Sequence, residues 1–248
     1  MKLFAHVLIG TLLLKVLSAS AVSAQTDDDR PSGDLSGVWL LDGGTATFSA
    51  EPPPPMTEWA AERFAANRPT VGPNAVLDAN DPTLACLPPG VPYVLTIPTP
   101  FEIIHVDGQV LQIFEYDHSL RRIHTDGRAR PDDLELTGMH QWLGYSIGRW
   151  DGDTLVIETR GFNDRTWLDR SGRPHSEELL VTERLRRVDS ETLVDDITIH
   201  DPKAYTAPWR GRLVFKLEKD WEIFEHICVS GDNGSADYNQ YKERAWQQ

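Results

Sequence analysis

The sequence predicts an all-β fold, a single antiparallel up-and-down meander of about 8–10 strands that closes into a barrel. From residue 101 onward, apolar-rich segments alternate regularly with tight-turn signals. Three of these signals are Asp-Gly pairs, at 107–108, 126–127 and 151–152, and Asp-Gly favours two-residue hairpin turns. No stretch between the segments reads as the helical crossover that parallel strands require.

The strand segments are short, and nearly every one is joined directly to the next. A first strand over 35–41 precedes the regular region. The other strands are expected over 101–106, 109–116, 119–124, 144–150, 154–160, 178–188, 191–199, 209–218 and 221–229. A sheet with so many strands usually curls until its edges meet, so we expect closure.

Two short helices and one long loop complete the predicted fold. Thr57 is a suitable N-cap for a helix over 57–66, and the tail over 235–248 is expected to form a second short helix. The region 67–100 contains eight prolines, which exclude a helix or central strands. We therefore expect an extended loop that wraps around the barrel.

The amino terminus has the features of a signal peptide over residues 1–24. Lys2 is followed by a largely apolar run and then by small residues before Gln25. Residues 25–34 are expected to be a flexible start, and 35–248 to form a single β-barrel domain. No later segment approaches the roughly 20 apolar residues that cross a bilayer. We expect a periplasmic or secreted protein with no membrane insertion after the signal is removed.

The charge pattern limits the partners. A net charge of −14 repels phosphate backbones and argues against nucleic-acid binding. Arginines cluster at 121–122 and at 184, 186 and 187, where strand alternation indicates solvated faces. One of Asp195 and Asp196 must face inward, and an inward carboxylate needs a partner or water.

Cys86 and Cys228 are the two cysteines of the chain. In an oxidising compartment an isolated pair is usually one disulfide. The bond would tie the proline-rich loop to the last predicted strand. The alternative, a catalytic thiol, has no supporting motif around either residue.

The start of the first strand resembles a known family. Gly37-Val38-Trp39 is similar to the Gly-x-Trp signature of lipocalins, in which the tryptophan closes the floor of the barrel and a late arginine stacks on it. The resemblance implies a lipocalin-like barrel in which Trp39 is structural. It implies that Arg210 or Arg212 lies over the indole ring.

A wider resemblance covers most of the chain that follows the predicted signal peptide. The sequence is similar to a group of uncharacterised exported bacterial proteins, and this implies kinship without implying an activity. The strings that carry it are Cys86-Leu87-Pro88-Pro89-Gly90, the ten residues 146–155, the nine residues 161–169 and Asp201-Pro202-Lys203-Ala204-Tyr205.

The densest polar segment, 115–124, holds the first candidate site residues. Tyr116 and His118 share a strand face, as do Arg122 and His124, so a reversal near 118 would gather them at one end of the barrel. The alternative is a hairpin with a polar outer face.

The long insert over 161–183 supplies the second set of candidates. It contains Asn163, Asp164, Trp167 and His175, more hydrogen-bonding and aromatic capacity than a spacer needs. We expect it to cover one mouth of the barrel together with the wrapping loop. In the alternative interpretation its polar residues form Asx turns and internal salt bridges.

The candidate roles rest on single residues and not on a known catalytic motif. No nucleotide-binding loop, Gly-x-Ser-x-Gly elbow or His-Glu-x-x-His motif occurs, and no histidine spacing requires a metal, so no cofactor is expected. The catalytic candidates are His118, His175, Asp164 and Tyr116, and the ligand-binding candidates are Arg122, His124, Asn163, Trp167 and Trp142.

The leading functional hypothesis is a binding protein for a small, partly apolar molecule. Such a protein would have a lumen lined by apolar strand residues such as Ile104, Phe114, Ile157, Phe215 and Ile223. The first alternative is an isomerase, lyase or hydrolase with a His-Asp acid–base pair. The second alternative is an envelope module that binds another protein. Nothing in the sequence indicates an oligomeric state.

Overall fold

Nine strands form a closed barrel in the computed structural model, which describes residues 33–43, 47–72, 74–131 and 140–228. Each strand pairs with the next in sequence, and the last pairs with the first. The strands are β1 Gly37–Leu41, β2 Phe101–Val106, β3 Gln109–Phe114, β4 Leu120–His124, β5 Tyr145–Asp151, β6 Thr154–Arg160, β7 Leu180–Arg187, β8 Thr192–His200 and β9 Trp209–Leu217. The predicted closure of an all-β meander is confirmed.

One pair of neighbours departs from the predicted antiparallel order. Strands β4 and β5 run parallel and share only two residue pairs, Ile123 with Ser146 and His124 with Ile147. A ring of nine strands cannot alternate in direction all the way round, so at least one pair must be parallel. The junction between β4 and β5 is therefore the point where the barrel wall is least extensively paired.

Two of the three Asp-Gly pairs turn hairpins as predicted. Gly108 and Gly152 lie between β2 and β3 and between β5 and β6, with φ of 70° and 66°, a region that favours glycine. Gly127 also has a positive φ of 79°, but it follows β4 and does not connect paired antiparallel strands. The prediction of a hairpin at 126–127 is wrong because the next strand lies parallel to β4.

The predicted strand over 221–229 is also wrong, since residues 221–228 belong to no strand. The turn at 115–118, where Asp117 and His118 adopt left-handed φ, supplies side chains that accept alternate backbone N–H groups of this segment. The bonds are Phe224 N–H to Glu115 Oε2 at 3.1 Å, His226 N–H to His118 Nε2 at 3.2 Å and Cys228 N–H to Asp117 Oδ1 at 3.4 Å. Side chains thus occupy donors that a neighbouring strand would otherwise use.

The barrel interior is filled by large apolar side chains. Three of the five residues predicted to line it, Phe114, Ile157 and Phe215, are at most 2 % exposed. Ile104 is half-buried, and its neighbour Ile103 takes the buried position instead. Ile223 is half-buried in the segment after the last strand.

Trp39 is buried and makes two specific contacts. Its ring is fully buried, and its Nε1–H donates to the carbonyl of Leu35 at 2.9 Å. The guanidinium of Arg187 lies 4.8 Å from the indole centroid. The arginine over Trp39 is therefore Arg187, from β7, and not Arg210 or Arg212 as expected. Arg212 on β9 instead donates to Asp196, 2.5 Å away.

The segments before β2 pack on the barrel. Helix α1 (Glu58–Ala66) lies in the predicted segment, and the Thr57 hydroxyl accepts from Ala60 N–H at 3.3 Å. The wrapping loop contains two short 3-10 helices, Pro82–Ala85 and Tyr93–Thr96, the second of which is buried. The predicted disulfide is present between Cys86 and Cys228, whose Cα atoms are 5.5 Å apart.

Several expectations fall on residues outside the described ranges. They are the signal peptide over 1–24, most of the flexible start over 25–34 and the helix over 235–248. Among the described residues, no helix has both the length and the apolar character needed to span a bilayer.

Candidate functional site

A polar cluster lies inside the barrel, and Arg121 is its centre. The Arg121 side chain is 1 % exposed, contrary to the solvated face predicted for it. Its guanidinium forms a bidentate ion pair with Glu183, with 2.9 Å from Nη1 to Oε1. It also donates to Gln112, Ser146 and Thr159 at 2.8 to 3.0 Å. All of these partners are buried, so we call these residues and Asp195 the lumen cluster.

Asp195 is the member of the lumen cluster whose carboxyl group has no hydrogen-bond donor among the described residues. It faces inward and is 1 % exposed, whereas Asp196 faces out toward Arg212. Neither carboxyl oxygen of Asp195 meets an N–H or O–H donor among the described residues. Burial first, and then the charge of Glu183, raise the pKa of Asp195 well above its ordinary range. The carboxyl groups of Asp195 and Glu183 can hydrogen-bond to each other only when one of them holds a proton. The raised pKa places that proton on Asp195.

This proton makes the stability of the barrel depend on pH. Below a pH of about 4, Asp195 is protonated in both the folded and the unfolded chain. Above that value the unfolded chain releases the proton and the folded chain keeps it. The free energy of unfolding therefore falls as pH rises, by at most about 1.4 kcal/mol per pH unit for one proton, until the raised pKa is reached.

We expect Asp195→Asn to make this decline shallower, because an amide donates to Glu183 at any pH. Urea denaturation between pH 4 and 8 measures the difference from the unchanged protein. Asp196→Asn on the outer face is the matched control. An unaltered slope in the Asp195 variant would show that Asp195 carries no extra proton in the fold.

A groove crosses the outside of the barrel at the junction between β4 and β5. It has a volume of about 700 Å³ and is lined by residues 119–122, 124 and 140–145 together with Pro88. We call it the β4–β5 groove. Its position follows from the topology, because the two parallel strands pair over only two residues.

The chemistry of the β4–β5 groove comes from aromatic and cationic side chains. The rings of His124 and Tyr145 stack with centroids 5.0 Å apart, and Trp142 forms another part of the wall. Burial first, and then the charge of Arg128, lower the pKa of His124, so its ring is neutral near pH 7. The side chain of Arg122 is exposed and forms no hydrogen bond or ion pair with any described residue.

A second, smaller groove adjoins the first. It has a volume of about 250 Å³, is lined by His140, Trp142, Asn163, Asp164, Arg165 and Glu177, and is called the loop groove. His140 Nδ1 lies 2.8 Å from Glu177 Oε1, a distance typical of a charge-assisted hydrogen bond. His140 and Trp142 line both grooves, so the two form adjacent parts of one surface.

The interior of the 161–179 insert is held together by His175. Its Nδ1–H donates to the Ser176 carbonyl at 3.1 Å, and its Nε2 accepts from the Thr166 hydroxyl at 2.6 Å. Burial lowers the pKa of His175 and keeps the ring neutral. Trp167 is also buried, at 5 % exposed. These two candidates lie within the folded insert and not on its surface.

His118 and Tyr116 lie at the turn that holds residues 221–228. His118 Nε2 accepts from the backbone of His226, and Tyr116 stacks on the ring of His226 with centroids 5.4 Å apart. Asp164, by contrast, faces Arg63 at 3.5 Å on the loop groove. Tyr116 and His118 therefore share one partner, His226, whereas Asp164 and His175 each contact other residues.

Five of the candidates named from the sequence come together on the outer surface: Arg122, His124, Trp142, Asn163 and Asp164. Sequence analysis did not select Tyr145 or Glu177. No local signal pointed to Glu177, because it meets His140 across 37 residues. Arg121 had a usable signal, since it shares a strand face with the apolar Ile123, two residues further along β4. Among the described residues, no group of three or more His, Cys, Asp or Glu side chains is arranged to hold a metal ion.

Comparison with known proteins returns no match to this chain among family models, curated proteins or solved structures. The closed barrel is compatible with a barrel fold, and no family is shown for the chain.

Proposed function

We propose that this chain is an exported binding protein that holds a small, partly apolar molecule in the β4–β5 groove. The observation that carries the proposal is the groove itself, whose 700 Å³ lies within the range of about 300 to 1,000 Å³ common for small-molecule sites. Trp142 and the His124–Tyr145 stack offer flat apolar surfaces, and Arg122 offers an unpaired polar group. Such sites combine apolar walls with a few polar anchors.

The outer groove is favoured over the lumen as the binding place. Trp39, Phe101, Ile103 and Phe215 are at most 2 % exposed inside the barrel, and the lumen cluster occupies a further layer. A ligand in the lumen would have to displace packed side chains, which typically costs several kcal/mol for each large residue. The groove can receive a molecule without such a rearrangement.

Export is supported by the disulfide. A bond between Cys86 and Cys228 persists in oxidising compartments and is rare where thiols are kept reduced. We infer a periplasmic or secreted location on this basis and on the signal-like residues 1–24.

A second candidate function is acid–base catalysis, and the His140–Glu177 pair favours it. Glu177 orients the imidazole at 2.8 Å, which leaves the other ring nitrogen as a potential base where the two grooves adjoin. This pair takes the place of the His-Asp pair predicted from the sequence. If turnover of a groove ligand is found, His140→Gln should abolish the turnover without abolishing binding.

Binding is tested with N-phenyl-1-naphthylamine, a neutral aromatic dye whose fluorescence rises in apolar surroundings. We expect saturable binding to the folded protein and a roughly tenfold weaker Kd in Trp142→Ala, which corresponds to about 1.4 kcal/mol. Trp150→Ala is the matched control, because Trp150 is 39 % exposed and stacks on His105 away from the groove. Equal losses in both variants, or no saturable binding at all, would contradict the proposal.

A further inference from the structure

The charges that line the β4–β5 groove differ from those of the rest of the chain. Asp and Glu outnumber Lys and Arg by 38 to 24 in the sequence. The described residues that line the groove nevertheless include two arginines and two histidines and no aspartate or glutamate. A cationic groove on an acidic protein attracts small anions locally, whereas the overall charge repels large polyanions.

Only one of these cations is available to a ligand as a fixed charge. Arg121 is committed to Glu183 and is 1 % exposed, and His140 is paired with Glu177. His124 is held neutral because burial lowers its pKa. Arg122 remains, because its side chain is exposed and has no hydrogen-bond or ion-pair partner among the described residues. Its guanidinium can offer two parallel N–H donors to a carboxylate or sulfonate.

The aromatic groups of the groove define the other half of the ligand. Stacked rings that are already packed against each other, as His124 and Tyr145 are at 5.0 Å and 26°, present a rigid flat surface. Trp142 lines the same groove. Flat rings pack on such surfaces with little loss of conformational entropy, and aromatic pairs gain additional stabilisation from their quadrupoles.

Resting on the proposed binding function, we propose that the ligand class of the groove is a small aromatic acid. Its ring lies against Trp142 and the His124–Tyr145 stack, and its anionic group pairs with Arg122. The pairing gives the guanidinium of Arg122, which has no partner among the described residues, a counter-ion beside an aromatic wall.

The test compares two dyes that differ only in an acid group. The first is N-phenyl-1-naphthylamine, and the second is 8-anilino-1-naphthalenesulfonate, which adds one sulfonate to the same ring system. We expect the folded protein to bind the sulfonate roughly five- to tenfold more tightly than the neutral dye, as a partly exposed charged hydrogen bond allows. Arg122→Gln should remove this preference, so that the variant binds the two dyes with equal Kd.

Arg149→Gln is the matched control, because Arg149 is an exposed arginine on β5 that does not line the groove. It removes the same charge and should keep the preference for the sulfonate. Equal affinity for both dyes in the unchanged protein, or a preference that survives in Arg122→Gln, would overturn the aromatic-acid assignment while leaving the binding function in place. If neither dye binds, the proposed function itself fails.

Discussion

Replacing Arg121 with leucine is expected to lower the free energy of unfolding by about 3 to 5 kcal/mol. The substitution leaves Glu183 fully buried without its bidentate partner, and it also removes donors to Gln112, Ser146 and Thr159. An unpaired buried carboxylate must either stay charged in a low-dielectric interior or take up a proton at neutral pH. Both outcomes cost free energy that the native ion pair avoids.

The effect is measured by urea denaturation at pH 7, with Arg122→Leu as the matched control. Arg122 is the next residue on β4, carries the same side chain and points outward into solvent, so its loss should change the free energy of unfolding by less than about 0.5 kcal/mol. Comparable small losses in both variants would show that water reaches Glu183 and replaces Arg121.

A double replacement separates the broken pair from the missing volume. Arg121→Leu combined with Glu183→Leu removes both charges, and apolar replacements of buried ion pairs are often neutral or stabilising. We expect the double variant to be more stable than Arg121→Leu alone. A double variant that is less stable would indicate that packing, and not the unpaired charge, dominates the loss.

Removal of the disulfide is expected to have the other large effect. Cys86 and Cys228 are 142 residues apart, and the chain-entropy model predicts that a loop of this length stabilises the fold by about 5 kcal/mol. Eight of the nine strands lie between the two cysteines. Without the bond, the part of the unfolded chain that contains these strands is no longer constrained, and its conformational entropy rises. We expect the Cys86→Ala, Cys228→Ala variant to unfold at a clearly lower urea concentration.

Reductant provides the control for this prediction. Dithiothreitol should lower the stability of the unchanged protein toward that of the cysteine-free variant and should leave the variant itself unaffected. Hydrogen exchange at residues 224, 226 and 228 supplies a local readout, because their N–H groups are bound by side chains of the 115–118 turn. A loss of less than about 1 kcal/mol would mean that the unfolded chain is already compact around this link.

The hairpins were predictable because their signals are local. In β2–β3 and β5–β6 an Asp-Gly turn joins two segments with strand character, and both the turn and the pairing involve residues close in sequence. Cys86 and Cys228 could also be paired from the sequence, since no other cysteine competes for either.

The site was only partly predictable, because several of its contacts join residues that are distant in sequence. Arg122 and His124 were found because they share a strand face within three residues. Tyr145 reaches His124 only because β5 lies parallel to β4, and Glu177 reaches His140 only because the insert folds back over the groove. Neither arrangement has a signature in local sequence.

By itself, the sequence determined the all-β class, most of the strand boundaries and the disulfide, because alternation, turn residues and cysteine number act over short distances or without competitors. Only the tertiary structure decided that β4 and β5 run parallel, that 221–228 is held by side chains and that Arg121 lies inside with Glu183. The physical reason is ring closure: the number of strands and the positions of the side chains around the ring are properties of the whole barrel, and no single segment encodes them.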